Sequence, residues 1–142
     1  MQWVYEDDSI DWDALSALYK IAPLGNKDPH KLKTAFGNSM FKCFVYDGSA
    51  LVGVGRALAD GVDTSYICDV AIHPDYQGQG LGKAIMKYLI ERSKGHRKIL
   101  LYANIGKEPF YAKLGFAKMN TAMAIFENQD QMIAWGMLRN EH

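Results

Sequence analysis

Three observations predict an α/β (α+β) protein. Strand-like and helix-like runs alternate in the order β-α-α-β-β-β-α-β-α-β. Two Asp-Gly pairs, Asp47-Gly48 and Asp60-Gly61, stand between apolar runs as tight turns. A central run of β-formers, Tyr66 to Ile72, stops at His73-Pro74 and gives way to a glycine-rich loop and an amphipathic helix. At 142 residues the chain is expected to be one domain, 1–142, with a single core.

The elements follow in order. Trp3-Val4-Tyr5 reads as a short first strand. Asp11 is placed to cap a helix that carries Ala14, Leu15, Leu18, Tyr19 and Ala22 on one face and stops at Pro23. Asp28-Pro29 starts a second helix, N-cap then proline in the first turn, with Leu32, Ala35 and Phe36 as its apolar face. Phe41 to Tyr46 and Leu51 to Ala59 are the arms of a hairpin, and Tyr66 to Ile72 is the next strand. The helix after the glycines carries Leu81, Ala84, Ile85, Tyr88 and Leu89 and is closed by Gly95. Ile99 to Ala103 reads as strand and Lys107 to Leu114 as a short helix ended by Gly115. Phe116 to Lys118 and Ala122 to Phe126 read as strand, and Met132 to Leu138 as strand or helix.

Composition excludes several classes. Apolar residues make up 49% and charged residues 23%, ordinary for a folded soluble chain. No apolar run reaches the ~18 residues of a membrane span, and the acidic N-terminus lacks a signal peptide's basic start. Cys43 and Cys68 lie in strand-like runs and read as buried thiols, so a cytoplasmic location is expected. Residues 1–64 hold six Lys/Arg against nine Asp/Glu, and residues 65–142 hold ten against seven. That basic second half suits an anionic ligand, but no basic stripe points to nucleic acid.

The loop itself is the main chemical signal. Strand, glycines and helix aim backbone N–H groups and a helix N-terminus at an anion, and glycine leaves the phosphate room to approach. A Walker loop is excluded, because Gln77 stands at its first glycine and Ala84 at its hydroxyl. A dinucleotide fingerprint is excluded too, because Lys83 or Ile85 occupies its third glycine. What remains is Gln-x-x-Gly-x-Gly, Gln77 to Gly82, directly after a strand ending Val-Ala-Ile-His-Pro. This resembles the acyl-CoA pyrophosphate loop of the GNAT N-acetyltransferase superfamily. A second stretch, Asn104 followed by Phe110-Tyr111-Ala-Lys-Leu-Gly115-Phe116, resembles that family's CoA-binding strand end and helix. Taken alone, it would be a helix packing face with a glycine cap.

The resemblance implies a mixed, mostly antiparallel central sheet flanked by helices on both faces, with splayed central strands. It implies acetyl-CoA as co-substrate, held by Gln77, Gly78, Gln79, Gly80, Leu81, Gly82 and Lys83 at the pyrophosphate. Backbone groups of Val70, Ala71 and Ile72 would pair with the pantetheine arm, and Asn104, Phe110 and Tyr111 would complete the site. Tyr111 is implied as the group near the thioester sulfur. Asp69, a carboxylate in an apolar strand, is the candidate base, or else a structural partner of Arg56. Period-two alternation puts its side chain on the face opposite Cys68, Val70 and Ile72. His73 is a weaker base candidate, while His30, His96 and His142 read as surface residues, and no spacing suggests a metal.

Tyr19, Phe36, Asp60 and Asp63 read either as walls and acidic ends of an acceptor pocket or as core and surface residues. Asn38-Ser39, Gly53-x-Gly-Arg-Ala57 and Asp69-Val-Ala resemble serotonin-type acetyltransferases, which implies a small aralkylamine or polyamine acceptor. A protein or peptide acetyltransferase and an acyl-CoA-binding module without turnover stay open, as does a homodimer.

Overall fold

The computed structural model describes residues 1–141, and His142 lies outside them. The chain forms two compact units, Met1–Leu101 and the residues from Tyr102 on. In the first unit β1 (Gln2–Val4) precedes α1 (Trp12–Ile21) and α2 (Pro29–Gly37). Then come β2 (Phe41–Asp47), β3 (Ala50–Ala59), β4 (Thr64–Ile72), a 3-10 turn (Pro74–Tyr76), α3 (Leu81–Ser93) and β5 (Lys98–Leu100). The caps fall where the sequence puts them. The Asp11 carboxylate accepts from the N–H groups of Asp13 and Ala14 at 3.0 and 3.2 Å, and that of Asp28 accepts from His30 N–H at 3.0 Å.

The sheet runs β1-β2-β3-β4-β5, antiparallel except for the β4–β5 pair. That parallel pair needs a crossover, and α3 supplies it. Helices cover both faces of this sheet. Leu15, Leu18 and Tyr19 of α1 and Leu32 and Phe36 of α2 pack with Phe44, Val54 and Ala71 into one apolar cluster. On the other face α3 lies over Gly53 and Gly55, which alternate with Val54 along β3. Buried Ser65 and Ser93, 2.8 Å apart at their hydroxyls, join β4 to the end of α3.

The closeness of α3 depends on Gly55. A β-carbon there would stand 2.8 Å from Ile85 Cγ2, 2.9 Å from Leu89 Cδ1 and 3.3 Å from Val70 Cγ2. Gly55→Ala is therefore expected to cost about 1–3 kcal/mol through overpacking, read as a lower urea midpoint. An unchanged midpoint would mean that α3 lifts off the sheet without penalty.

Two features depart from the sequence expectation in this unit. β5 ends at Leu100, not at Ala103. Its pairing with β4 covers only Thr64↔Lys98, Ser65↔Ile99 and Tyr66↔Leu100, so β4 runs on to Ile72 with that edge unpaired by any strand among the described residues. The second departure is a bulge. Between the pairs Arg56↔Cys68 and Val54↔Ala71, Gly55 alone faces both Asp69 and Val70. Asp69 has φ 55, the one left-handed non-glycine backbone among the described residues. The extra residue breaks period-two alternation, and the Asp69 side chain joins Arg56, the register partner of Cys68.

The second unit holds α4 (Glu108–Ala112) and α5 (Gln129–Ala134). α4 closes as expected at Gly115, with Phe116 N–H donating to Tyr111 O and Gly115 N–H to Ala112 O. The stretch Met132 to Leu138 proves to be the end of α5. Gly136 takes φ 81, Met137 N–H donates to Met132 O, and Gly136 N–H donates to Ile133 O. The strands expected at Phe116 to Lys118 and Ala122 to Phe126 do not form. A strand exists only with a ladder partner, and none pairs with these residues; Met123 and Ile125 are 97% and 96% exposed.

Candidate functional site

The glycine loop carries the first half of the site. Gly78 and Gly80 have φ 77 and 84, and Gly80 stands as the N-cap of α3 without a side-chain cap bond. Alternating left- and right-handed backbone curls successive N–H groups into a concavity that suits an anion. Among the described residues none of the N–H groups from Gly78 to Lys83 donates to a protein acceptor. For Leu81, Gly82 and Lys83 this is the ordinary state of a helix's first turn. A β-carbon built on Gly78 or Gly80 meets no atom within 4 Å. The concavity is open, and the residues fit a phosphate.

The side chains around it have separate tasks. Gln77 Nε2 donates to Ile72 O at 3.2 Å and Gln79 Nε2 to Asp75 O at 3.4 Å, so both amides brace the loop from behind. Leu81 is buried in the core and offers the loop only its N–H, while the exposed Lys83 extends a cation beside it. His73 also braces: its Nδ1 accepts from Asp75 N–H at 3.1 Å.

The bare edge of β4 is the second half. His73 N–H donates to Val52 O on the β3 side at 2.8 Å. Strand alternation therefore turns the backbone groups of Ile72 to the opposite edge, where its N–H faces no strand and its carbonyl accepts from Gln77. It turns those of Ala71, expected among the pairing residues, toward β3 instead. From Ile72 this edge leads back through Val70 to the bulge at Asp69.

At the bulge lies a network of charges. Arg56 Nε donates to Asp69 Oδ2 at 2.9 Å, its Nη2 stands 2.8 Å from the same oxygen as an ion pair, and its Nη1 donates to Ser39 Oγ at 3.2 Å. Lys27 Nζ stands 3.7 Å from Asp69 Oδ1 and 5.3 Å above the Tyr19 ring. Tyr19, fully buried, donates its hydroxyl to the Asp69 carbonyl at 2.6 Å, and burial pushes its pKa well above the usual value. That bond and the Arg56 pair hold a backbone conformation that otherwise costs about 1–2 kcal/mol. Sequence reading missed Lys27 and the Tyr19 hydroxyl. Both act on Asp69 across forty or more positions, and no local spacing marks such a contact.

Other candidates are placed elsewhere. Phe36 is core. The Asp60 carboxylate accepts from the N–H groups of Val62, Asp63 and Thr64, which holds its pKa down at about 2. Asp63 faces Lys98 at 2.6 Å. Both acids are therefore engaged in the β3–β4 turn and its neighbour. Burial raises Cys43 to about 12 and Cys68 to about 11, leaving both as inert thiols at neutral pH.

Within the second unit, the Asn104 carbonyl accepts from Lys107 N–H at 3.0 Å and starts the turn into α4. There the Tyr111 ring meets Phe110 and Phe116 edge-on at 5.1 and 6.2 Å. Burial pushes the Tyr111 phenol up from its usual value.

Comparison with known proteins accords with this geometry. Residues 7–116 match the model of the acetyltransferase (GNAT) family. An uncharacterized N-acetyltransferase ycf52-like protein of Prochlorococcus marinus is 33% identical over 76% of this chain and 63% of its own. The chloroplastic serotonin N-acetyltransferase 2 of Oryza sativa is 31% identical over 87% of this chain and 66% of its own. The chain thus spans just under two thirds of the length of each of these relatives. An acetyltransferase of Trypanosoma brucei has a similar fold, with TM-score 0.70 and 25% identity over 88% of this chain and 98% of that one. With the family model covering most of its length, the chain belongs to the GNAT acetyltransferase family.

Proposed function

We propose that the chain transfers the acetyl group of acetyl-CoA to a primary amine of a small molecule, by direct attack of the amine on the thioester. The observation that carries this reading is the open, left-handed glycine loop at the start of α3, continuous through Ile72 with a strand edge that no strand pairs among the described residues. The loop holds the pyrophosphate on N–H groups and the helix N-terminus. The bare edge offers amide partners to the pantetheine arm, so the thioester comes to rest by the Asp69 bulge. Neither cysteine is suited to a covalent acetyl-enzyme, since burial keeps both protonated. Two free thiols also suit a reducing, cytoplasmic location. Thiol release from acetyl-CoA across a panel of amines tests the proposal. Binding of CoA without release would make the chain a sensor, and release only with peptides would make it a peptide acetyltransferase.

The attacking amine must be neutral. For an alkylamine of lysine-like basicity, losing the proton at pH 7 costs roughly 4–5 kcal/mol. Activity is therefore expected to climb from pH 6 to about 8–9. Asp69 is the carboxylate nearest this chemistry, but its Oδ2 is already paired with the Arg56 guanidinium and its Oδ1 faces Lys27. We read it as a positioning residue that fixes the bulge. Asp69→Asn keeps a residue that tolerates left-handed backbone and removes only the charge. It leaves Arg56, 14% exposed, without its partner, and is expected to cost about 1.5–3 kcal/mol of stability. Its pH limb should keep its shape in the amine still acetylated. A flattened limb in a folded Asn variant would instead make Asp69 the base.

Among acceptors, an aralkylamine has the support of the Oryza sativa serotonin N-acetyltransferase relative. A polyamine would bring further positive charge toward Lys27 and Arg56, which disfavours it.

A further inference from the structure

The charges at the bulge do not balance. Arg56 is held on both sides, its Nε donating to Asp69 and its Nη1 to Ser39, with Nη2 2.8 Å from Asp69 Oδ2. Lys27 is not. At 3.7 Å its ammonium is beyond hydrogen-bond reach of Asp69 Oδ1, and it meets no hydrogen-bond acceptor among the described residues, its ring contact being the face of Tyr19. The adjacent acid gives it no relief, because the Asp28 carboxylate caps α2 through His30 N–H. Asp7, one of the acids before α1, faces Lys42 at 3.7 Å. Two cations therefore share the carboxylate of Asp69, and the ammonium of Lys27 donates no hydrogen bond among the described residues.

Lys27 is nevertheless held in place. Ser16 Oγ of α1 donates to the Lys27 carbonyl at 2.5 Å, which fixes this segment against the helix. The side chain is 28% exposed, so it stands at the boundary between core and solvent. Such a cation is preorganised and half-desolvated, the state in which a charged partner gains most. Its position relative to the strand edge gives it a use. An acyl arm that starts at the glycine loop and follows the edge of β4 from Ile72 leads to the bulge at Asp69, whose carboxylate lies 3.7 Å from this ammonium. An amine attacking an acyl carbon held at that bulge would come within reach of Lys27.

We propose that the acceptor is a primary amine that also carries an anionic group, a carboxylate or a phosphate, and that Lys27 receives this group while the amine is directed to the thioester. The inference rests on the acetyl-transfer reading and narrows it. Within the aralkylamine class it selects members bearing a carboxylate, and it rejects diamines.

The test uses matched acceptors that differ by one group. Phenylalanine is set against 2-phenylethylamine, 4-aminobutyrate against propylamine, and phosphoethanolamine against ethanolamine, with putrescine as the diamine. The readout is thiol release, expressed as the ratio of kcat/KM within each pair. In the wild type at least one pair should favour its anionic member, and which pair does so separates carboxylate from phosphate. Lys27→Gln should lower that ratio roughly tenfold, mainly through KM, as expected for one lost charge-assisted bond. Lys27→Glu should reverse the preference toward putrescine. Thermal melts of both variants establish that they are folded. If the wild type releases thiol but prefers the uncharged members or putrescine, or if Lys27→Gln leaves the ratio unmoved, the anionic acceptor is wrong and acetyl transfer stands. If no amine releases thiol, acetyl transfer fails and the acceptor assignment fails with it.

Discussion

Gly80→Val is expected to abolish most CoA binding, lowering affinity by roughly 10²-fold, the equivalent of one or two charge-assisted hydrogen bonds. Gly80 has φ 84, and a β-carbon there would extend into space that no protein atom occupies within 4 Å. In the proposed complex that space belongs to the pyrophosphate. Valine adds a second penalty, since a β-branched residue in left-handed backbone costs about 1–2 kcal/mol. Gly82→Ala separates the two effects. Gly82 is not left-handed, its β-carbon would make an ordinary 3.7 Å contact with Ile72 Cγ1, and alanine favours the helix by about 1 kcal/mol. This variant should melt no lower than the wild type and still bind CoA less tightly. For the wild type, CoA at about 100 times its Kd adds about 2.7 kcal/mol, a rise on the order of 8 °C for a chain of this size. If millimolar CoA leaves the wild-type melt unmoved, or the Val variant binds equally well, the loop is not a pyrophosphate cradle.

What the sequence revealed and what it concealed divide along a physical line. Asp11 and Asp28-Pro29 start helices through bonds to N–H groups two or three residues away. The turns after Asp47 and Asp60 and the caps at Gly95 and Gly115 are equally local. The glycine loop is one continuous stretch, so its geometry was legible too. The bulge at Asp69 was not. It arises from the register between β3 and β4, where Gly55 opposes two residues, and no pattern within β4 encodes it. The same shift brings Asp69 to the face of Arg56, and the pair they form is the alternative to a base that the sequence had offered. The expected strands at 116–118 and 122–126 failed for a related reason. Their residues favour extended backbone, but strand formation is a property of pairs, and neither segment found a partner. Lys27 was invisible because its loop gives no sign of which carboxylate it approaches.

The last expectation concerns Tyr111, which the family resemblance implies near the thioester sulfur and which we propose as a hydrogen-bond donor to that sulfur. When the amine attacks and the carbon–sulfur bond breaks, the departing sulfur gathers negative charge. A thiol of this kind has a pKa near ~8.5 and an ordinary phenol ~10, so full proton transfer is uphill by roughly 2 kcal/mol. Burial raises the Tyr111 phenol further and makes complete transfer less favourable still. The same shift keeps the hydroxyl protonated throughout the working range, so it remains a hydrogen-bond donor from pH 6 to 9. Donation to the sulfur stabilises the developing charge without moving the proton fully, and thiolate is already a fair leaving group. The benefit is therefore expected near 10²-fold, at the low end for general acids. Tyr111→Phe removes only the oxygen and retains the edge-on ring contacts with Phe110 and Phe116. Its loss should fall on kcat by about 10²-fold, evenly across pH, with CoA affinity and melting temperature nearly unchanged. Were Tyr111 only a packing aromatic of α4, the Phe variant would turn over normally. Normal turnover with an amine whose chemical step limits the rate would remove it from the mechanism.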